Sequence, residues 1–194
     1  PGTAEPLPAS RTVTYTIQTT DPTGGAPPVE GRQQIALQQG WNLVSSAVVP
    51  DDPRMEAVFA DIASDVRLVR DETGAIYDPR EGVNELGRWE ANKAYAIFAE
   101  SATTLFLQGE DVATDGRSIS LTRGWNWVPY LRKSPLPVAE ALASIQDHLL
   151  LVKDEDGRVY YPQENIDSLG ALQPGEGYKI YVNQAATLTY PGGD

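Results

Sequence analysis

Apolar and polar residues alternate in short stretches along this chain, a pattern typical of β-strands that bury one face. Ile35 and Leu37 alternate with polar residues, a glycine then turns the chain, and Trp41 to Val49 forms a second apolar stretch. Four more short strands are predicted downstream, at 66–70, 75–77, 95–99 and 103–107. Turn-forming residues separate them, most clearly the DETG sequence at 71–74.

One segment of this region has helical spacing instead. Met55, Phe59 and Ile62 follow one another at intervals of four and three residues, which predicts a helix of about three turns with one apolar face. A proline lies in the expected first turn, and Asp52 is the predicted capping residue. About six short strands and one helix predict a mainly β fold of the α+β class.

The whole pattern occurs twice. IALQQGWNLV (35–44) aligns with ISLTRGWNWV (119–128) at an offset of 84, and LVRDETGAIYDP (68–79) aligns with LVKDEDGRVYYP (151–162) at an offset of 83. The apolar helical stripe also recurs, at Val138, Leu142 and Ile145, with Ser134 as the candidate cap of the second helix. A repeat that keeps its register over this length indicates a duplicated module.

The repeat divides the chain into four predicted segments. They are an N-terminal arm at 1–32, a first module at 33–109, a linker at 110–117 and a second module at 118–194. The two modules are predicted to be homologous folding units in tandem.

A Gly-Trp-Asn motif opens the second strand of each module. Its residues are Trp41 and Asn42 in the first copy and Trp125 and Asn126 in the second. Because the motif is repeated together with the framework, a structural role is expected. The indole is predicted to pack over the helical stripe, and the asparagine side chain to bond the turn backbone.

The sequences GWNLVSSAVVPDD (40–52), LVRDETGAIYDP, GYKIYV and ATLTYPG resemble the tandem Gly-Trp-Asn modules of large secreted and cell-surface proteins of Bacteroidota-like bacteria. The resemblance covers residues 33–192 and implies a surface location but no particular chemistry. In such proteins the pair follows immunoglobulin-like domains and can precede a sorting domain. This chain differs at Trp89, where the second copy has Leu172, and it ends without a sorting domain. Proteolytic maturation from a longer precursor is therefore expected, in keeping with a start at Pro1.

Composition narrows the possible partners. The chain has 41% hydrophobic and 22% charged residues, which is typical of a globular protein, and its net charge is -12. This charge repels nucleic-acid phosphates and anionic lipids, so neither is an expected partner. No apolar run approaches the ~20 residues of a membrane helix, so no membrane insertion is expected. The charge suits a secreted protein, and the absence of cysteine excludes disulfides and thiolate metal sites.

No catalytic, metal or cofactor site is predicted. The only histidine, His148, is not reproduced in the first copy, and no nucleophile motif accompanies it. The carboxylates of Asp71, Glu72 and Asp154 lie in hairpin turns, where adjacent residues cannot face each other across a cleft as a glycosidase requires. They are expected to be solvated, and the chain is predicted not to be an enzyme.

Several aromatic residues suggest an alternative. Trp89 and Trp127 have no tryptophan counterpart in the other copy, so neither is expected to be needed for a module core. Together with Tyr130 they could form a flat platform for sugar rings, as in a carbohydrate-binding module, with Tyr160 and Tyr161 as further candidates. Ordinary core or inter-module packing is the competing interpretation.

The arm carries a strand without an evident partner. In the predicted strand at 11–20, Val13, Tyr15 and Ile17 alternate with threonines, and a proline- and glycine-rich linker follows. In the resembled proteins this position belongs to the last strand of a preceding domain. A solitary strand leaves its backbone unpaired, so three outcomes are open. The strand pairs with its own modules, pairs with another molecule, or is disordered.

Three functions remain open. The first is a non-enzymatic extracellular structural protein, a filament subunit that joins copies of itself head to tail by donating Val13, Tyr15 and Ile17 to a neighbour. The second is a carbohydrate-binding module of a larger secreted protein, with polysaccharide as its partner. The third is a passive spacer that binds nothing.

Overall fold

The computed structural model describes the backbone of Thr14 and Tyr15, together with residues 30–113 and 117–192. Among these residues strands make up 48% and helices 11%, which confirms the prediction of a mainly β, α+β fold. Each repeat has a strand at each of the six predicted places, together with short additional strands.

The first repeat consists of two antiparallel sheets. The strands of sheet I are β1 (Thr14–Tyr15), β2 (Glu30–Leu37), β4 (Val48–Pro50) and β9 (Thr103–Asp111), in the order β1-β2-β9-β4. The strands of sheet II are β3 (Gly40–Val44), β5 (Val66–Arg70), β6 (Ile76–Asp78), β7 (Val83–Asn84) and β8 (Tyr95–Ala99), in the order β3-β8-β5-β6-β7.

The second repeat reproduces sheet II strand for strand. The strands of sheet III are β11 (Gly124–Pro129), β13 (Leu149–Lys153), β14 (Val159–Tyr161), β15 (Ile166–Asp167) and β17 (Gly177–Val182), in the order β11-β17-β13-β14-β15. The remaining strands form two pairs, β10 (Ser118–Leu121) with β18 (Ala186–Thr189) and β12 (Leu136–Pro137) with β16 (Ala171–Leu172). Even the irregularity between Val66 and Leu68 recurs, between Leu149 and Leu151.

The helices are shorter than the predicted three turns. One turn of α-helix, α1 (Met55–Val58) or α2 (Val138–Ala141), is followed by a 3₁₀ turn, Ala60–Ile62 or Ala143–Ile145; a third 3₁₀ turn is Pro162–Glu164. An α turn followed by a 3₁₀ turn also brings residues at intervals of four and three to one face, so periodicity could not separate the two. The predicted caps Asp52 and Ser134 are wrong, because Arg54 precedes α1 and Pro137 precedes α2, and neither makes a side-chain capping bond.

The predicted strand from Trp41 to Val49 is broken. Its first part is β3 in sheet II and its last part is β4 in sheet I, so Ser45, Ser46 and Ala47 carry the chain from one sheet to the other. All three are buried, and the hydroxyl groups of Ser45 and Ser46 donate to the backbone carbonyls of Glu176 and Val48.

Each repeat has its own hydrophobic core. In the first repeat Met55, Phe59 and Ile62 are buried as predicted, and they pack in one cluster with Leu105 of sheet I and Ile97 of sheet II. The corresponding stripe of the second repeat is also buried, at Val138, Leu142 and Ile145. Strand pairing continues beyond the predicted module limits, since Glu30 pairs with Glu110.

Candidate functional site

Trp41 and Trp125 do not pack over the helical stripe, so that prediction is wrong. They are 46% and 42% exposed, and they lie on the outer faces of sheets II and III because their neighbours Asn42 and Asn126 occupy the inward positions. Each indole meets an aromatic ring of the adjacent strand edge to face, Trp41 with Phe98 at 5.3 Å and Trp125 with Tyr181 at 5.2 Å between centroids.

The asparagine of each motif holds the preceding turn. Asn42 Nδ2 donates to the Gln38 and Gly40 carbonyls at 2.8 and 2.9 Å, and its Oδ1 accepts the Gln38 N–H at 2.8 Å. Asn126 makes the same bonds to Thr122 and Gly124. Gly40 has a φ of 99°, a conformation that favours glycine. These bonds explain why Gly and Asn flank the tryptophan in both copies.

The predicted sugar platform of Trp89, Trp127 and Tyr130 is not formed. Trp89 is 2% exposed; its indole stacks on Tyr95 at 4.5 Å, and its Nε1 donates to Ser46 Oγ at 2.8 Å. Tyr130 is fully buried. A residue that is unique to one copy can still be part of the core, because the second repeat fills the place of Trp89 with the buried Leu172.

Trp127 is half-buried and lies where the two repeats meet. It packs against Leu43, Ala94 and Ala96 of the first repeat. This contact brings the outer face of sheet III against the edge of sheet II. It is inter-module packing, the competing interpretation in the sequence analysis.

Backbone pairing joins the same surfaces. Val44 forms an isolated antiparallel bridge with Glu176, and the Ser45 N–H donates to the Gly175 carbonyl at 2.9 Å. The Leu43 N–H donates to the carboxylate of Glu155, in the second-repeat hairpin. The repeats are therefore joined by hydrogen bonds as well as by apolar contact.

A cleft of about 310 Å³ opens beside this junction. The Arg70 guanidinium lies 5.1 Å from the Trp41 ring centroid and 5.3 Å from that of Trp127, so it contacts both repeats. Lys179 Nζ lies 5.2 Å from the Trp127 centroid, and Lys153 also lines the cleft. Cation–π contacts of this kind contribute about 0.5–2 kcal/mol each.

These three cations form a positive cluster in an acidic protein. Partial burial lowers the pKa of the Lys179 ammonium below its usual value, and the positive charges of Lys153 and Arg70 lower it further. Two carboxylates, Asp154 and Glu155, line the same cleft. This cluster could not be predicted from the sequence, because Arg70, Lys153 and Lys179 lie on three strands of two different repeats.

The groups considered for catalysis are not assembled into a site. His148 lies beside Gln184, whose Nε2 is 3.0 Å from each ring nitrogen. Asp71 and Asp154 are buried rather than solvated, which corrects the expectation, because Asp71 accepts the Thr73 and Ala75 N–H groups and Asp154 accepts that of Arg158. Across residues 30–113 and 117–192, no group of three or more acidic or histidine side chains is positioned to hold a metal.

The arm strand lies on the edge of sheet I. In β1, Thr14 is opposite Gln34 and Tyr15 is opposite Gln33 in an antiparallel pair. The other members of the predicted arm contact, Val13 and Ile17, lie outside the described residues. Beside this edge a groove of about 500 Å³ is lined by Gln34 and by Phe106, which is 59% exposed.

Comparisons with protein-family models, curated proteins and solved structures found no match for this chain. In the part of the chain that the structure describes, no helix has the length and apolar character needed to cross a membrane.

Proposed function

We propose that this chain is a non-enzymatic structural protein of an extracellular assembly, in which the arm strand of one copy pairs with the β2 edge of the next. The observation that carries the proposal is the antiparallel pairing of β1 with β2. A sheet edge offers unpaired N–H and C=O groups, and an added strand satisfies them. The same edge can accept the arm of another copy.

The register of sheet I supports this role. Gln33 pairs with Leu107 and both are buried, whereas Gln34 and Phe106 in the next row are exposed. Tyr15 is opposite Gln33 in the backbone pairing. Alternate residues of a strand share a face, so the sequence alternation predicts that Val13, Tyr15 and Ile17 face the same side of the arm strand. Each apolar side chain buried in this way contributes about 1.5–3 kcal/mol.

Exchange of the arm strand between two copies loses few contacts, because the same residue pairs form within one chain or between two chains. Residues 16–29 connect β1 to β2 and, if extended, reach about 45 Å. A tether of this length gives an effective concentration on the order of millimolar, so pairing within one chain dominates in dilute solution. Exchange is expected where copies are crowded, as on a cell surface, and an exchange that does not close builds a filament.

Engineered cysteines test the proposal, because the chain has none of its own. Paired antiparallel residues lie about 4.5–5.5 Å apart at Cα, within disulfide range. Chains with Thr14→Cys are mixed with chains with Gln34→Cys and oxidised at increasing concentration. The expected result is a disulfide-linked dimer that accumulates with concentration, read on a non-reducing gel. A mixture of Thr14→Cys with Glu164→Cys, an exposed site on the second repeat, is the matched control.

The double variant, with Thr14→Cys and Gln34→Cys on one chain, shows whether the arm pairs with its own chain or with another copy. It is expected to close internally when dilute and to form a ladder of linked chains when concentrated. If it only closes internally, and the mixture gives no more dimer than the control, the arm seals its own edge and the assembly role is excluded.

A further inference from the structure

The cleft between the repeats gathers positive charge in a protein with a net charge of -12. Arg70 lies at the end of β5, and Lys153 and Lys179 are opposite each other on β13 and β17. The strand pairing keeps the two ammonium groups on neighbouring strands of sheet III, and the packing of the repeats adds the guanidinium. Like charges held this closely repel one another, which an anion between them relieves.

These cations are not explained by ion pairing. In residues 30–113 and 117–192 the ion pairs within 4.0 Å involve other basic side chains, such as Arg67 with Asp78 and Arg158 with Asp154. The Arg70 Nε is buried and has no hydrogen-bond acceptor among the described residues. Burial is the main cause of the lowered pKa of Lys179, and the charges of Lys153 and Arg70 lower it further.

We propose that this cleft binds an anionic sugar, a ring bearing a carboxylate or a sulfate, with Arg70, Lys153 and Lys179 around the anion and the Trp41 indole against the ring. Charge-assisted hydrogen bonds from guanidinium and ammonium groups are the strongest available to such an anion. The exposed part of the Trp41 side chain, 46%, offers an apolar surface for the C–H face of the ring.

The cleft favours a small anionic ligand. Asp154 is already paired with Arg158, so the three cations stand against one further carboxylate, that of Glu155, and the lining keeps a positive balance. The volume of about 310 Å³ lies at the lower limit of ordinary ligand pockets, so it suits a small unit of a chain rather than a large ligand.

The described lining of this site belongs to the two repeats. Loss of strand exchange is therefore expected to leave ligand binding intact. The two proposals can therefore fail separately.

Binding of oligosaccharides to the full chain tests the inference. Trigalacturonate supplies a carboxylate, a sulfated galactose oligosaccharide supplies a sulfate, and neutral galactotriose and hexaglutamate serve as comparisons. Titration calorimetry is expected to detect at least one of the two anionic sugars, with affinity that falls as sodium chloride screens the cluster. Comparison of the two anionic sugars shows whether the cleft binds a carboxylate or a sulfate.

Matched variants locate the site. Lys179→Met is expected to weaken binding about tenfold or more, whereas Lys93→Met, which removes an exposed lysine outside the cleft, leaves it within twofold. Trp41→Ala is expected to weaken binding, and Phe106→Ala is its control, because Phe106 is an exposed aromatic residue that does not line the cleft.

Three results would overturn the proposal. The first is that the folded native chain binds neither anionic sugar at millimolar concentration. The second is equal loss of affinity with Lys179→Met and Lys93→Met, both still folded by circular dichroism, which would reveal only general charge attraction. Tighter binding of hexaglutamate than of either sugar would reject the sugar in favour of an acidic peptide.

Discussion

Ser45 of the first repeat and Tyr130 of the second are joined by a buried hydrogen bond. The Tyr130 N–H donates to Ser45 Oγ at 3.0 Å, and the hydroxyl in turn donates to the Glu176 carbonyl oxygen at 2.6 Å. Ser45 and Tyr130 are fully buried. One side chain thus satisfies two backbone groups of the other repeat, and it does so where the chain crosses from β3 to β4.

Replacement of Ser45 by alanine is expected to destabilise the protein by about 1–3 kcal/mol, because the buried Tyr130 N–H keeps only a longer bond to the Glu176 carbonyl, at 3.4 Å, and that carbonyl loses the Ser45 hydroxyl. Urea unfolding followed by tryptophan fluorescence measures the change. Ser118→Ala, at an exposed position, is the control and should stay within about 0.5 kcal/mol of the native chain. If the Ser45→Ala protein is as stable as this control, the hydrogen bonds of the Ser45 hydroxyl contribute little to stability.

Trp89→Leu introduces the residue that the second repeat has at the same place. It should cost about 2–4 kcal/mol, because the leucine loses the stacking on Tyr95 and the bond to Ser46 and leaves a cavity. Trp41→Leu, on the exposed face, is expected to cost less than about 1 kcal/mol. Equal costs for the two substitutions in thermal or urea unfolding would contradict this assignment of core and surface.

Gly177→Ala tests the close packing of the repeats. A Cβ at this position would lie 3.0 Å from both the Ala94 Cβ and the Leu43 Cγ, so the variant is expected to lose about 1–3 kcal/mol by overpacking. Ala94→Gly removes one of the two crowded atoms. In a double-mutant cycle, Gly177→Ala should therefore cost less in the Ala94→Gly background. Additive costs would mean that the strain lies elsewhere.

Core tyrosines make the fold sensitive to alkali. Burial raises the pKa of Tyr95 to about 12, and burial also raises the pKa values of Tyr178 and Tyr190. In the unfolded chain these tyrosines lose their protons near pH 10, so above that pH the unfolded chain binds fewer protons than the folded chain. Stability from these groups is fully present below pH 10 and is lost as the pH rises through about 12.

Urea unfolding between pH 8 and pH 12 is the measurement. Tyr95→Phe is less stable at pH 8, because the Glu90 N–H loses the Tyr95 hydroxyl at 2.9 Å, but it has one group fewer to ionise. The difference in unfolding free energy between the native chain and this variant should therefore become smaller above pH 10. A constant gap across the range would exclude the tyrosine explanation.

Local patterns determined much of this fold. The two repeats follow from a periodicity that needs no tertiary information, and so do the six main strands and the buried stripe at Met55, Phe59 and Ile62. The bonds of Asn42 to its own turn span only four residues, so Gly-Trp-Asn already specified them. Alternation and turn chemistry act over a few residues, which is why they can be read directly.

Only the tertiary structure decided which aromatic residues are buried and what surrounds the others. Trp41 and Trp127 are 86 positions apart in the sequence, yet both contact Arg70, because the two sheets meet there. The break between β3 and β4 and the burial of Trp89 likewise depend on contacts with distant segments. Such contacts leave no periodic signal, since packing between repeats is set by shape and charge on surfaces assembled from separate strands.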